Sequence, residues 1–323
     1  MTIASLDRVV LCIALLLAVS AGHHRAWGQG SDPVPEPSDP EEAMPDSVVG
    51  TWVYNADARL NVSQAAYSNW EEGAGNNSLA LATGLGGEAM KRGEHWIQAH
   101  ELRLAFGLLN QAEQELRKAE DEILWNSSLR YEGDDFFRIF NPTMAVNLRT
   151  QFAKGFDYSS NPFDGEVPED DPRLGLEPPV ETSQFFAPAF ITESLGLTYE
   201  PISDFTLRFG AASKQTIVTE RDFRVLYGVE EGTVARIEAG AEFASSFDRQ
   251  LTENIRYRSQ LNVFFSFNQV EQPPDARWDN TLSLSVNDWL STDLQFVALF
   301  DQDITDAIQL KETISVGLSF TLL

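Results

Sequence analysis

Cysteine is almost missing from this chain of 323 residues; the single one, Cys12, falls in an N-terminal apolar segment that reads as a removed export signal. A mature chain without cysteine forms no disulfide, holds no thiolate-bound zinc and uses no cysteine nucleophile. Positive charge is scarce too: Lys and Arg number 23 against 49 Asp and Glu, a formal charge of −26. That balance opposes bulk attraction to nucleic acid, which is excluded as a partner. Only two histidines, His95 and His100, lie beyond the export segment and its flank. No later run approaches the roughly 18 apolar residues that a membrane helix needs, so a helical membrane protein is excluded. G-x-S-x-G, P-loop, Rossmann and H-E-x-x-H patterns are all missing, and a non-enzymatic protein with no cofactor and no metal is expected.

What is present falls into three parts. Residues 1–28 read as a signal peptide, with Arg8 as positive flank, Val9–Ala21 as apolar run and Val19-Ser20-Ala21 as a cleavage site after residue 21; Ala26-Trp27-Gly28 is a second one. Residues 29–50 form an acidic linker with Pro33, Pro35, Pro37, Pro40 and Pro45, a composition that favours a solvated, extended chain. From residue 51 to 323 one pattern persists. Ile314, Val316, Leu318, Phe320 and Leu322 alternate with Thr313, Ser315, Gly317, Ser319 and Thr321, a period of two. The same partition recurs at Ile255, Tyr257, Leu261, Val263 and Phe265 against Arg256, Arg258, Gln260 and Asn262.

The alternation predicts strands over 59–69, 77–90, 95–109, 121–132, 137–157, 185–200, 204–213, 233–246, 250–267, 277–288, 292–301 and 311–322. Most are far longer than the five or six residues usual in soluble proteins. Tight links at Lys91–Glu94, Gly133–Phe136, Pro201–Ser203, Phe247–Arg249 and Trp289–Ser291 alternate with longer ones at Trp70–Asn76, Asn110–Glu120, Tyr158–Gln184, Ser213–Gly232, Asn268–Ala276 and Gln302–Leu310. Long strands and alternating loops together imply an all-β fold: a transmembrane antiparallel up-and-down β-barrel of about twelve strands, with both termini and the short turns periplasmic.

Several blocks also resemble a known family. Ser63-Gln64-Ala65-Ala66-Tyr67-Ser68-Asn69-Trp70 with Gly73, then Arg149-Thr150-Gln151-Phe152-Ala153-Lys154-Gly155-Phe156, Phe186-Ala187-Pro188-Ala189 and Val316-Gly317-Leu318-Ser319-Phe320, occur in order. They are similar to the signature of Gram-negative outer-membrane β-barrel proteins of unknown function. The resemblance spans Trp52 to Leu323 and rests most on Gln64, Ser68, Asn69, Trp70, Gly73, Thr150, Gln151 and Phe152; Ala74 stands where a second glycine is expected. It implies the barrel fold and the cell outer membrane, but no activity. The last strand further resembles the signal read by the barrel-assembly machinery, with Gly317, Phe320 and Leu322 at the right spacing and Leu323 in place of a terminal Phe. Outer-membrane lipid, lipopolysaccharide and that machinery are the expected partners.

Parity then assigns the lumen. Arg103, Arg130, Arg149, Arg208, Arg236, Arg256 and Arg258 face inward, opposed by Glu101, Glu132, Glu238 and Glu242, which predicts a basic interior in an acidic protein. The preceding strand is expected to bring Glu238 or Glu242 to Arg256 or Arg258. Two readings compete: ladders that fill a narrow lumen, or an Arg-lined pore for small polar or anionic solutes. A surface-binding or adhesion role for the 158–184 loop is the first rival, and a membrane-embedded hydrolase the second, although parity puts His100 on the lipid side. Asp301–Asp306 imitates a calcium loop but has Asp306 where glycine is required, so a solvated acidic loop is expected.

Overall fold

The computed structural model describes residues 49–65, 78–111, 116–287, 289–302 and 305–322. The export segment and nearly all of the linker, together with Ser68, Asn69, Trp70 and Gly73, lie outside the described residues. The strands are β1 (Trp52–Ala65), β2 (Ser78–Arg92), β3 (Trp96–Gln111), β4 (Arg117–Tyr131), β5 (Phe140–Thr150), β6 (Gly155–Asp157), β7 (Val180–Ser183), β8 (Ala189–Ile202), β9 (Phe205–Ile217), β10 (Ala235–Thr252), β11 (Ile255–Ser266), β12 (Asp275–Ser285), β13 (Leu290–Asp301) and β14 (Thr305–Thr321). Twelve of them close in the order β1-β14-β13-β12-β11-β10-β9-β8-β5-β4-β3-β2, and β6 with β7 forms a separate two-stranded sheet. The seam is an antiparallel pairing of β1 with β14, from Asp57 opposite Thr321 to Asn61 opposite Gly317. Closure leaves no edge strand in the barrel wall, the condition for a sheet to cross lipid.

The predicted strand over 137–157 is broken in two. β5 ends at Thr150 because the Asp121 carboxylate accepts the backbone amides of Phe152 and Ala153, at 2.7 and 2.9 Å, and turns the chain off the wall. Residues 155–157 then pair with 180–183 instead. The strands on either side of two links expected to be long extend further than expected: β3 runs to Gln111 and β4 starts at Arg117, while β13 runs to Asp301 and β14 starts at Thr305.

Outside, the wall is apolar. Leu81, Leu85, Met144, Leu195, Phe209, Ile237, Phe265 and Ile314 are all exposed, far beyond the isolated apolar residues a water-facing surface carries. At the short-turn end the exterior becomes aromatic. Trp96 lies 4.9 Å from Tyr131, Phe136 lies 5.1 Å from Phe140, Phe140 lies 5.2 Å from Tyr199, and Phe247 sits between Phe205 and Tyr257. Such a girdle marks the interface between hydrocarbon and headgroups.

The larger buried apolar cluster lies in the loops. Phe163 and Val180, from the segment between β5 and β8, pack with Val218, Phe223 and Val229 from the β9–β10 connection. Arg173 fastens the two: its guanidinium donates to Asp171 at 2.6 and 2.9 Å, to Glu231 at 2.7 Å and to the Asp222 carbonyl at 2.9 Å. The Arg173 partnership holds the Asp171 carboxyl well below its ordinary range, at about 2, and lowers that of Glu231 as well. Burial pushes the Tyr227 hydroxyl, which donates to the Thr182 carbonyl, up to about 12.

Candidate functional site: a charged lumen

A strand alternates its side chains, so every outward apolar residue sends its neighbours inward. Near the short turns, Arg256 makes a two-pronged contact with Asp248 at 2.7 and 2.8 Å, and Arg258 reaches the same carboxylate at 3.0 Å. The expected partners Glu238 and Glu242 are corrected by this register. β10 runs on to Thr252, with the turn at 253–254 rather than 247–249, so Asp248 stands opposite Arg258 and Glu242 stands opposite Phe264. In the same layer the buried Arg130 pairs with Glu200 and lies 3.6 Å from Glu132, which also takes Arg92 at 2.9 Å.

Higher in the barrel the pairs cross the lumen. Arg277 on β12 holds Asp279 at 2.7 Å and reaches Glu122 on β4 at 3.7 Å. These two strands stand six places apart in the ring of twelve, on opposite walls. Glu122 also takes Arg103 at 3.2 Å. Beside this bar, Lys214 on β9 bridges to Asp275 at 2.5 Å and Asp301 at 3.0 Å, with Glu238 at 4.0 Å. Arg236 contacts Glu238 at 3.1 Å, and Arg208 contacts Glu242 at 3.2 Å. Asp301 is therefore a buried lumen residue and not part of a solvated loop.

Arg149 is the exception among these cations. Its guanidinium lies over the Phe190 ring at 4.8 Å and makes no ion pair with any described residue. Phe190 and Phe264 show that inward positions are not uniformly polar; Phe264 is buried, and the absence of a side chain at Gly240 leaves room for it. A cavity of about 470 Å³ remains, bounded from Met90, Thr206 and Ser246 near the short turns to Lys214, Asp275 and Asp301 near the rim. Its charged lining contains Glu88, Glu101, Glu122, Glu242, Asp275, Asp279 and Asp301 beside Arg103, Arg149, Arg208, Lys214 and Arg277. The expected basic interior is thereby corrected to one that carries both signs.

The remaining sequence candidates fall elsewhere. Thr150 Oγ1 donates to the Pro188 carbonyl at 2.9 Å, and Gln151 Nε2 to the carbonyls of Gln184 and Ala187 at 3.0 and 3.2 Å. With Phe152 on Asp121, these signature residues clamp the loop where it leaves and rejoins the wall. Gln64 pairs through its backbone with Leu79. His100 sits on the outer face, its Nδ1 2.9 Å from Ser127 Oγ and its ring 5.7 Å from Trp52. A serine–histidine contact without an orienting carboxylate lacks the third element of a nucleophilic triad. His95 Nδ1 lies 3.2 Å from the Glu132 carbonyl in a short turn.

Wall and lumen together define a membrane-spanning twelve-strand barrel with an ion-paired interior. Residues 62–156 match the sequence profile of a family described as "Protein of unknown function (DUF3078)". No curated protein matches the chain in sequence at a significant level. Among solved structures it is similar to an outer membrane channel from Pseudomonas putida F1, at 10% identity over 88% of this chain and 98% of that one, with a TM-score of 0.39. The translocator domain of the autotransporter NalP from Neisseria meningitidis matches at 7% identity over 83% and 87%, TM-score 0.36. A TodX monoaromatic hydrocarbon channel matches at 9% over 84% and 89%, TM-score 0.33.

Proposed function

We propose that the protein is an integral outer-membrane channel of narrow bore that passes small polar solutes and performs no catalysis. The observation that carries this reading is the coexistence, on one closed wall, of an apolar exterior and a charged interior around an elongated cavity. Neither a hydrophobic plug nor an inserted helix fills that space among the described residues. Acids and bases both line it, so selection acts on size and hydrogen bonding more than on the sign of charge. Purified barrel in planar bilayers should give small, stable unitary conductances in potassium chloride, with a reversal potential in a salt gradient close to zero. A folded barrel that leaves the bilayer silent removes the channel.

One observation favours a second reading. The Arg277–Glu122 pair spans the lumen from wall to wall, as a brace in a closed structural barrel would. Replacing Arg277 by Gln separates the two: a brace yields conductance only in the variant, whereas a channel conducts in the wild type and more so in R277Q.

A further inference from the structure

We propose that the lumen cavity binds a small organic carboxylate, with Arg149 as the docking cation. The inference deepens the channel reading by naming the class of solute, and its test is separate from conduction. Arg103, Arg208, Lys214 and Arg277 each already hold a carboxylate, at 3.2, 3.2, 2.5 and 2.7 Å. Arg149 holds none; it makes neither a hydrogen bond nor an ion pair with any described residue. Phe190 covers one face of its guanidinium. Stacking uses the face and leaves the edge, whose parallel N–H groups match the two oxygens of a carboxylate.

The rest of the cavity lining supplies further polar contacts. Arg277 stands already committed to Asp279 and Glu122, which leaves the Arg149 guanidinium as the cation in the cavity lining that meets no carboxylate among the described residues. Thr192, Gln260 and Asn262 line the same cavity, and their side chains make no hydrogen bond to another described residue. They offer donors and acceptors to the rest of a solute, a hydroxyl or carbonyl on a short carbon chain. A cavity of about 470 Å³ lies within the range of roughly 300–1,000 Å³ typical of small-molecule sites, and far exceeds what a lone halide needs.

Calorimetric titration of the full-length barrel in detergent with sodium lactate at neutral pH tests the proposal. Saturable binding at one site per barrel is expected, weakened about tenfold or more in Arg149→Gln by loss of the charge-assisted pair. Arg149→Lys keeps the charge and loses the fork, so it should fall between the two; it carries the test if R149Q does not assemble. Arg221→Gln, on an exposed loop, should bind as the wild type does, and neutral lactamide should give no binding heat. Unchanged affinity in R149Q and R149K overturns the proposal, as does a wild type that ignores lactate or takes inorganic phosphate in its place. Bilayer recordings on the same preparations keep the two ideas apart: Arg149-dependent lactate binding in a silent barrel upholds the site and rejects the channel, and conduction without lactate binding does the reverse.

Discussion

Asp248 holds two arginines with one carboxylate, and that asymmetry sets what its loss would do. Removing one arginine leaves the other pair intact, whereas removing the carboxylate leaves Arg256 and Arg258 facing each other with nothing between them. Because these side chains are only part-buried, Asp248→Ala should cost about 1–3 kcal/mol, less than a fully buried pair would. Arg256→Ala should cost clearly less than that. Thermal melts of the folded barrel in detergent, followed by circular dichroism, measure both; equal melting temperatures for D248A and R256A would show that the shared carboxylate braces nothing. Gly196 and Gly210 make a different kind of demand. They face each other across β8 and β9, and a Cβ on Gly196 would strike the Phe209 carbonyl and the Gly210 backbone. Backbone cannot step aside as a flexible side chain does, so Gly196→Val should reduce the yield of heat-modifiable, assembled barrel several-fold, with Gly87→Val, whose position is open, as the tolerant control.

At the scale of elements, β14 offers a test of which side meets lipid. Ile314 is exposed on the outer face, and Thr313 beside it points inward opposite Gln295. Arginine at position 314 should cost about 2–4 kcal/mol if that position lies near the bilayer midplane, whereas Thr313→Arg should be borne by the lumen. Matching losses of assembled protein at both positions would reverse the assignment. The loop module makes a pH prediction. Asp171 and Glu231 titrate below their ordinary values because Arg173 binds their charged forms. Their stabilising contribution is therefore complete above the unfolded carboxylate range near 4, and is lost as pH falls toward about 2. Pepsin should cut within 158–184 much faster at pH 2 than at pH 4 relative to a reference substrate, and Arg173→Gln should erase that difference.

These elements also show where the sequence was readable. All twelve wall strands are visible in the period-two alternation, because lipid imposes an apolar residue at every second position. Near the rim that pressure ends. Lys214 lies just past the predicted end of its strand at 213, and Asp275 just before the predicted start at 277, so neither reads as a lumen residue although the two meet at 2.5 Å. Inward positions were legible one strand at a time; partners were not, since pairing depends on register, and shifting one hairpin turn from 247–249 to 253–254 exchanges Glu242 for Asp248. The inserted β6–β7 hairpin escaped because Asp121, distant in sequence, ends β5.

For the molecule as a whole, both ends of the wall share one rim with the β2–β3, β4–β5, β8–β9, β10–β11 and β12–β13 turns, and the packed loops between β5 and β8 and between β9 and β10 lie on the other. Protease added to intact cells should therefore cleave within 158–184 or 213–232 and spare residues 29–50; cleavage of that N-terminal stretch in intact cells would turn the barrel upside down. The bar from Glu122 to Arg277 has a consequence for how such a wall is put together. Its two ends belong to chain segments on opposite sides of the finished ring, and neither adjacent hairpins nor a flat sheet can bring them within reach. The pair can form only after the sheet from β4 to β12 has curled through half a circle, so it registers curvature. Until then Glu122 keeps Arg103 on β3 and Arg277 keeps Asp279 on its own strand, and a flat sheet gains nothing from the pair across the lumen. Its formation favours the curled wall over a flat one, a strut that engages once the two halves of the sheet face each other.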